Sequence, residues 1–136
     1  MAKMKTPSLK CKIEILCSIH PSEDPNKVKS AILNIFPNCE LETQKFSIKG
    51  NSNDLHSLEK IYDTISSTQS ERIYQRRLEK NLDKNSAWFY LNKQAAFVEK
   101  IAICEEPDES PLGPIKVILT SNQIDRIIDW LIHYEQ

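Results

Sequence analysis

The segment Trp88-Phe89-Tyr90-Leu91-Asn92-Lys93-Gln94-Ala95-Ala96 runs three aromatic residues and a leucine directly into a polar triplet. Four large apolar side chains in a row cannot all face water without a large free-energy cost, so the segment predicts a strand or a buried corner of the fold. Successive side chains of a strand point to opposite faces, so at most some of the three aromatic rings can be exposed. Core packing is the favoured interpretation for each ring.

Hydrophobic periodicity on either side of this segment predicts the other elements. Strands are predicted at 10–19, 39–49, 88–91, 97–104 and 115–120, and helices at 25–36, 53–65, 68–82 and from 122 onward. The order β-α-β-α-α-β-β-β-α predicts an α+β fold, a single-sheet sandwich with helices mainly on one face. We expect residues 1–9 to form a flexible tail and residues 10–136 to form a single α+β domain.

Short polar motifs mark the predicted ends of these elements. Asp24 followed by Pro25 is typical of a helix N-cap with proline in the first turn. Gly50 predicts the turn that leaves the second strand. Thr68 stands three residues before a glutamate and Asn122 three residues before an aspartate, which is the spacing of side chains that cap a helix.

The composition narrows the functional class. With 136 residues, 27% of them charged, the chain is typical of one globular domain. Its two glycines, Gly50 and Gly113, are too far apart for a glycine-rich phosphate loop. A net charge of −1 provides no overall basic field, so any binding to nucleic acid needs a local patch.

The sequence predicts a cytoplasmic protein that does not contact a membrane. It begins with no secretory leader and contains no apolar run near 18 residues. The four cysteines have no C-x-x-C spacing and no histidine at metal-ligand spacing, so we expect reduced, buried thiols. They are Cys11, Cys17, Cys39 and Cys104.

The sequence does not support catalysis, a cofactor or a metal site. His20, His56 and His133 lie far apart, and no nucleophile has a base at a suitable spacing. The acidic residues at 105–109 lack the alternating ligands and the glycine of a calcium loop, so a solvated loop is expected. We therefore predict no catalytic residues and no enzyme; a nuclease that uses the acidic loop is the less favoured alternative.

A basic helix is the first candidate site. Arg72, Arg76 and Lys80 are four residues apart and share one face, and Arg77 is next to it. Guanidinium groups suit phosphate oxygens, so this face is a candidate for RNA binding. The alternative, which stays open, is a solvated face whose charges pair with nearby carboxylates. The opposite face is predicted to be apolar, with Tyr74, Leu78 and Leu82.

The polar triplet Asn92, Lys93 and Gln94 is the second candidate site. Amides can bind base edges, and a lysine can meet a phosphate. The equally weighted alternative is that the two amides satisfy loop backbone groups while the lysine faces solvent. We include all three in the predicted RNA-binding set.

Several strings in the chain resemble the archaeal uncharacterised protein family 0201. They are Phe89-Tyr90-Leu91-Asn92-Lys93-Gln94-Ala95-Ala96, Glu109-Ser110-Pro111-Leu112-Gly113-Pro114-Ile115, Ile127-Ile128-Asp129-Trp130-Leu131, Ile35-Phe36-Pro37 and the segment from His20 to Val28. The resemblance covers about residues 10–132. It implies an archaeal origin, an α+β fold similar to that of the ribosomal protein that binds 5S rRNA, and a role connected with RNA.

The predicted function is that of a small non-enzymatic RNA-binding domain, with RNA as its partner. The alternative is a protein-interaction module or a homodimeric subunit of a larger complex, without direct RNA contact. That alternative depends on the near-neutral charge and on the last helix, where Trp130, Ile132 and Tyr134 are expected to lie beyond the core-facing stripe.

Overall fold

One antiparallel sheet forms the frame of the computed structural model, which describes residues 6–134. Within this range the sheet has six strands in the order β2-β3-β1-β6-β4-β5. The strands are β1 (Lys12–Ser18), β2 (Glu40–Thr43), β3 (Ser47–Ser52), β4 (Ser86–Leu91), β5 (Ile103–Cys104) and β6 (Ile115–Thr120). The predicted α+β class with a single sheet is therefore confirmed.

Helices lie in most of the connections between the strands, and one helix follows the last strand. They are α1 (Pro25–Ile35), α2 (Glu59–Ser67), α3 (Glu71–Lys80), α4 (Lys93–Phe97) and α5 (Ile124–Leu131), with single 3-10 turns at Leu55–Leu58 and Pro107–Glu109. Their apolar faces join one hydrophobic core on the sheet. Within residues 6–134, none of these helices combines the length and the apolar character that a membrane span requires.

The alternation of side chains in β1 explains how the sheet obtains two different faces. Ile13, Ile15 and Cys17 are buried in the core, whereas the side chains between them point to the other face. The same alternation continues in the neighbouring strands β6 and β4, where Phe89 of β4 enters the core. We call the side of the sheet away from the helices the open face.

The prediction of a single strand at 39–49 is wrong. The chain forms a hairpin there, in which β2 and β3 pair antiparallel. Gly50 is not a turn residue, since it lies inside β3 between Leu41 of β2 and Ile15 of β1. A Cβ atom at this position would lie 2.8 Å from Cδ2 of Leu41 and 3.3 Å from Cβ of Ile15. A close approach of side chains, rather than a turn, explains this glycine.

The predicted strand at 97–104 is also wrong in most of its length. Residues 93–97 form the short helix α4, and only Ile103 and Cys104 pair with β4. A short apolar run does not distinguish a buried helix from a strand, and here the cap from Asn92 favours the helix. The segment is divided between helix α4 and strand β5 because Ala96 and Phe97 pack against the core before the chain returns to the sheet.

Two of the three predicted helix caps differ in the structure. The Asp24 carboxylate accepts a hydrogen bond from the Asn26 amide at 2.9 Å, which confirms this cap. Helix α3 instead begins after Ser70, and α5 begins after Gln123, without side-chain caps. Helix α3 also ends at Lys80, so Leu82 lies beyond it and is exposed.

The predicted tail falls mostly outside the described residues. Residues 1–5 lie outside them, and residues 6–9 form no helix or strand. Thr6 donates a hydrogen bond to Oε2 of Glu59 at 2.8 Å, and Leu9 packs partly against the core. The division into a tail and one domain stays a prediction.

Candidate nucleic-acid interface

A row of basic side chains lies along the exposed side of α3. Arg72, Arg76 and Lys80 are all exposed, and their spacing of four residues places them one above another. Nη1 of Arg76 lies 4.0 Å from a carboxylate oxygen of Glu105, the ion pair that the row makes within residues 6–134. We call these three residues the basic row.

The opposite side of α3 fixes the basic row relative to the sheet. Tyr74 and Leu78 are buried, and the ring of Tyr74 packs edge-on against Phe89 of β4, with centroids 5.5 Å apart. At the end of the helix, Nδ2 of Asn81 donates to the carbonyl oxygen of Trp88 at 3.0 Å. The basic row therefore lies on the outer side of α3 and faces away from the sheet, while the inner side of the helix packs against β4.

Arg77 does not belong to the basic row. It is half-buried, and within the described residues its Nε atom is enclosed without a hydrogen-bond partner. Its position on α3 turns it about 100° from Arg76, toward the packed side of the helix. It is thus less accessible to a phosphate than its three neighbours.

Lys93 is a buried structural residue. Its side chain has no exposed surface, and its ammonium group donates three hydrogen bonds. The acceptors are the carbonyl oxygen of Ser18 at 2.9 Å, Oε1 of Glu23 at 2.9 Å and the carbonyl oxygen of Leu112 at 2.8 Å. All three donors of the ammonium group are used inside the fold, so the interpretation of Lys93 as a phosphate contact is revised.

The flanking amides also bond within the fold. Oδ1 of Asn92 accepts from the Ala95 amide at 3.0 Å and caps α4. Nε2 of Gln94 donates to the carbonyl oxygen of Pro111 at 3.3 Å, although this side chain remains exposed. The alternative in which the two amides satisfy backbone groups agrees with this geometry. Gln94 is the exposed residue of the triplet, Lys93 is buried, and Asn92 is partly exposed with its Oδ1 already bonded to the Ala95 amide.

Three of the quoted sequence strings meet around Lys93. Its backbone amide donates to Oγ of Ser110 at 2.9 Å, and that hydroxyl donates to the carbonyl oxygen of Gly113. Gly113 has φ +94°, and a Cβ atom there would lie 2.7 Å from Oγ of Ser18. We call the cluster of Ser18, Glu23, Lys93, Ser110 and Leu112 the Lys93 junction. It joins the loop after β1, the start of α4 and the loop before β6.

The open face carries aromatic side chains that the sequence assigned to the core. Phe89 is buried as expected, but Trp88 and Tyr90 point to the open face and are partly exposed. Their rings lie 5.0 Å apart at 61°, and Nζ of Lys116 lies 4.4 Å from the Trp88 ring centre. The alternation Trp88-Phe89-Tyr90 contained this signal, because one buried ring implies that both neighbours face the other way.

Burial explains why the pKa values of several side chains in the core are raised. It raises the pKa values of the Cys11 and Cys17 thiols to about 11, and it raises the pKa of Tyr74. All four cysteines are buried and free, as the sequence predicted. Within residues 6–134, no group of three His, Cys, Asp or Glu side chains has the arrangement of a metal site.

The predicted exposure of the last helix is wrong for two of three residues. Trp130 and Ile132 are buried, and the Trp130 ring stacks on Tyr62 with centroids 4.8 Å apart. Tyr134 alone is exposed, with 54% of its surface accessible. The main argument from the sequence for a protein-interaction surface is therefore lost, because Trp130 of α5 and Ile132 just after it pack into the core.

A family model, related sequences and a solved structure all place this chain in the same family. A model of a family described as RNA binding matches residues 12–121. The chain is 36% identical to a UPF0201 protein of Methanothermobacter thermautotrophicus and 40% identical to one of Sulfurisphaera tokodaii. These matches cover 88% of this chain in both cases, and 89% and 86% of the two relatives. The crystal structure of a UPF0201 protein from Methanococcus jannaschii is 29% identical, with a TM-score of 0.76 over 92% of this chain and 95% of that one.

Proposed function

We propose that this chain, which belongs to the UPF0201 family, is a small RNA-binding protein that acts by binding and not by catalysis. The description of the matching family model as RNA binding supports the ligand class. The proposed contacts are phosphate oxygens of the RNA, held by the exposed side of α3.

The arrangement of the basic row is the observation that carries this proposal. Like charges at a spacing of four residues cost a helix roughly 0.2–0.5 kcal/mol per pair. Arg72, Arg76 and Lys80 form two such pairs, and the nearby carboxylate of Glu105 lies at the outer limit of an ion pair with Arg76. A polyanion would compensate this unfavourable arrangement.

The proposed interface is smaller than the set that the sequence predicted. Lys93 and Asn92 belong to the internal architecture, and Arg77 is partly enclosed. Gln94 remains a secondary contact on the strength of its exposure. The main phosphate contacts are then the three side chains of the basic row.

The test is a titration of fluorescently labelled RNA with the natural protein and with the triple variant Arg72→Ala/Arg76→Ala/Lys80→Ala. We expect the variant to bind at least tenfold more weakly. The slope of log affinity against log salt concentration should become shallower by about 2, since each lost phosphate contact removes about 0.7–0.9 from the slope.

A matched control separates a local interface from a change in net charge. The variant Lys27→Ala/Lys29→Ala/Lys45→Ala removes the same charge from exposed positions outside α3. It should retain most of the affinity. The proposal fails if the natural protein binds neither single-stranded nor structured RNA at low salt, or if both triple variants lose affinity equally.

A further inference from the structure

Two aromatic side chains lie together on one half of the open face. Strands β6 and β4 are neighbours, with Trp88 opposite Ile118 and Tyr90 opposite Lys116. All four side chains point away from the core and are partly exposed. We call these four residues the aromatic platform. Its two rings lie next to each other on β4, at an angle of 61° to each other.

The charges around the aromatic platform favour an anionic ligand. Strands β4 and β6 carry no carboxylate, and Lys116 places its ammonium group over the Trp88 ring at 4.4 Å. The acidic side chains of the open face lie in β1 and β2, and the nearest of them, directly across from Ile118, lies 4.0 Å from the ammonium group of Lys12. They are Glu14, Glu40 and Glu42.

A shallow cavity continues the platform toward β1 and β3. It has a volume of about 290 Å³, and its lining includes Leu16, Tyr90 and Pro114 together with the two lysines Lys49 and Lys116. Apolar and aromatic walls with cations at the rim suit a flat ring attached to a phosphate. The cavity is large enough for a nucleobase.

We propose that the aromatic platform binds unpaired bases of single-stranded RNA, with Trp88 and Tyr90 as stacking surfaces and Lys116 as a phosphate contact. This inference rests on the proposed function and specifies the form of RNA. Bases in a duplex already stack on each other, so only unpaired bases offer free faces to aromatic side chains. Partly exposed rings held side by side on a strand are well suited to such stacking.

A second copy of the chain fits this face less well. In a twofold symmetric dimer the same patch meets itself, so Lys116 of one copy would approach the corresponding lysine of the other. Neither β4 nor β6 provides a carboxylate to offset that repulsion, and the adjacent Glu14 of β1 already lies 4.0 Å from Lys12 of its own strand. Charge complementarity therefore favours a nucleic acid over a second copy.

Intrinsic fluorescence provides a direct test. The chain has two tryptophans, and Trp130 is buried against Tyr62, so the background variant Trp130→Phe leaves Trp88 as the reporter. We expect a single-stranded RNA oligonucleotide to quench Trp88 emission, and the same sequence in a perfect duplex to leave it almost unchanged. Trp88→Leu and Tyr90→Leu in the natural protein should each weaken single-strand binding about tenfold or more.

The salt dependence distinguishes stacking from charge. Trp88→Leu should leave the salt slope unchanged because no phosphate contact is lost, whereas Lys116→Ala should make it shallower. Trp88→Phe retains a ring and should keep most of the affinity, which controls for damage to the sheet. Circular dichroism checks that each variant is folded.

The outcomes separate this inference from the proposed function. If the basic-row variant loses RNA affinity but the leucine variants bind normally without Trp88 quenching, the aromatic platform is not the site, while the proposed function stands. If Trp88→Leu instead converts a dimer to a monomer in sedimentation, the face is a protein interface and the inference is wrong. If the natural protein binds no RNA, both proposals fail.

Discussion

Lys93 connects three backbone segments through one ammonium group. A buried ammonium group loses its hydration, and the fold offsets this cost with two carbonyl oxygens and the carboxylate of Glu23. The pairing is not complete, since Oε2 of Glu23 is buried without a hydrogen-bond partner within residues 6–134. The junction therefore depends on having both partners of the ion pair in place.

Replacing this lysine should destabilise the fold while sparing the proposed RNA interface. In Lys93→Met the carboxylate of Glu23 stays buried without its cation, so we expect a loss of about 3–5 kcal/mol in the free energy of unfolding. Urea unfolding followed by circular dichroism measures this loss. If enough of the variant is folded, its RNA affinity should match that of the natural protein.

A second substitution checks that the loss arises from the unpaired carboxylate. The double variant Lys93→Met/Glu23→Gln should recover part of the stability, because no charge is then left unpaired. Lys27→Met, at an exposed position of α1, should have almost no effect. Equal stabilities for Lys93→Met and Lys27→Met would contradict the structural role of Lys93.

At the scale of elements, β3 shows how a strand adapts to its neighbours. Gly50 is buried in the middle of the strand, where Leu41 from β2 and Ile15 from β1 occupy the space that a side chain would need. Asn51, the next residue, points to the open face and is exposed. The two adjacent positions therefore differ in the side chains that they can accept.

Gly50→Val should strain the core side of the hairpin. The added side chain must displace Leu41 and press against Ile15, and overpacking of this kind typically costs about 1–3 kcal/mol. Asn51→Val is the matched control, since it places the same side chain in the same strand on the open face. Thermal unfolding should show a clearly lower midpoint for Gly50→Val alone, and equal midpoints would disprove this account of the glycine.

At the scale of the whole molecule, buried thiols make the folded state sensitive to alkali. Burial raises the pKa values of Cys11 and Cys17 from about 9 to about 11, because the core disfavours the thiolate. For Cys17 the nearby Lys93 partly opposes this effect and Glu23 adds to it. The folded state thus holds these protons more tightly than the unfolded state does.

The free energy of unfolding should consequently fall as the pH rises from about 9 to about 11. Below pH 9 the thiols are protonated in both the folded and the unfolded state, so they cost the folded state no stability. Above pH 9 the thiols of the unfolded chain ionise first, and this ionisation favours unfolding. The effect is at most about 3 kcal/mol for each thiol at full ionisation, because the pKa rises from about 9 to about 11 and each pKa unit corresponds to about 1.4 kcal/mol. Urea unfolding across this pH range measures it.

Alanine variants separate the thiols from lysines that titrate in the same range. Cys11→Ala and Cys17→Ala should each give a shallower decline of stability with pH, whatever their stability at pH 7. The four thiols of the natural protein should also react slowly with iodoacetamide at pH 8 and quickly in urea. An unchanged pH profile in both variants would contradict the proposed linkage.

The periodic spacing of apolar and charged residues predicted most of the helices and strands and part of the candidate site. The alternation in β1 and the spacing of α3 depend only on residues a few positions apart, so the sequence predicted the buried face of the strand and the exposure of Arg72, Arg76 and Lys80. The predicted strand at 97–104 was wrong because its apolar residues belong in turn to the end of a helix, a loop and a short strand.

By itself the sequence determined the α+β class, the basic row and the family, because periodicity, charge spacing and characteristic strings are carried by neighbouring residues. Only the tertiary structure decided that Lys93 is buried, that Trp130 closes the core and that Trp88 and Tyr90 face outward. Each of these outcomes depends on partners distant in the chain, as in the contact of Lys93 with Glu23, 70 residues away. Burial is a property of what packs against a side chain, which the local sequence does not contain.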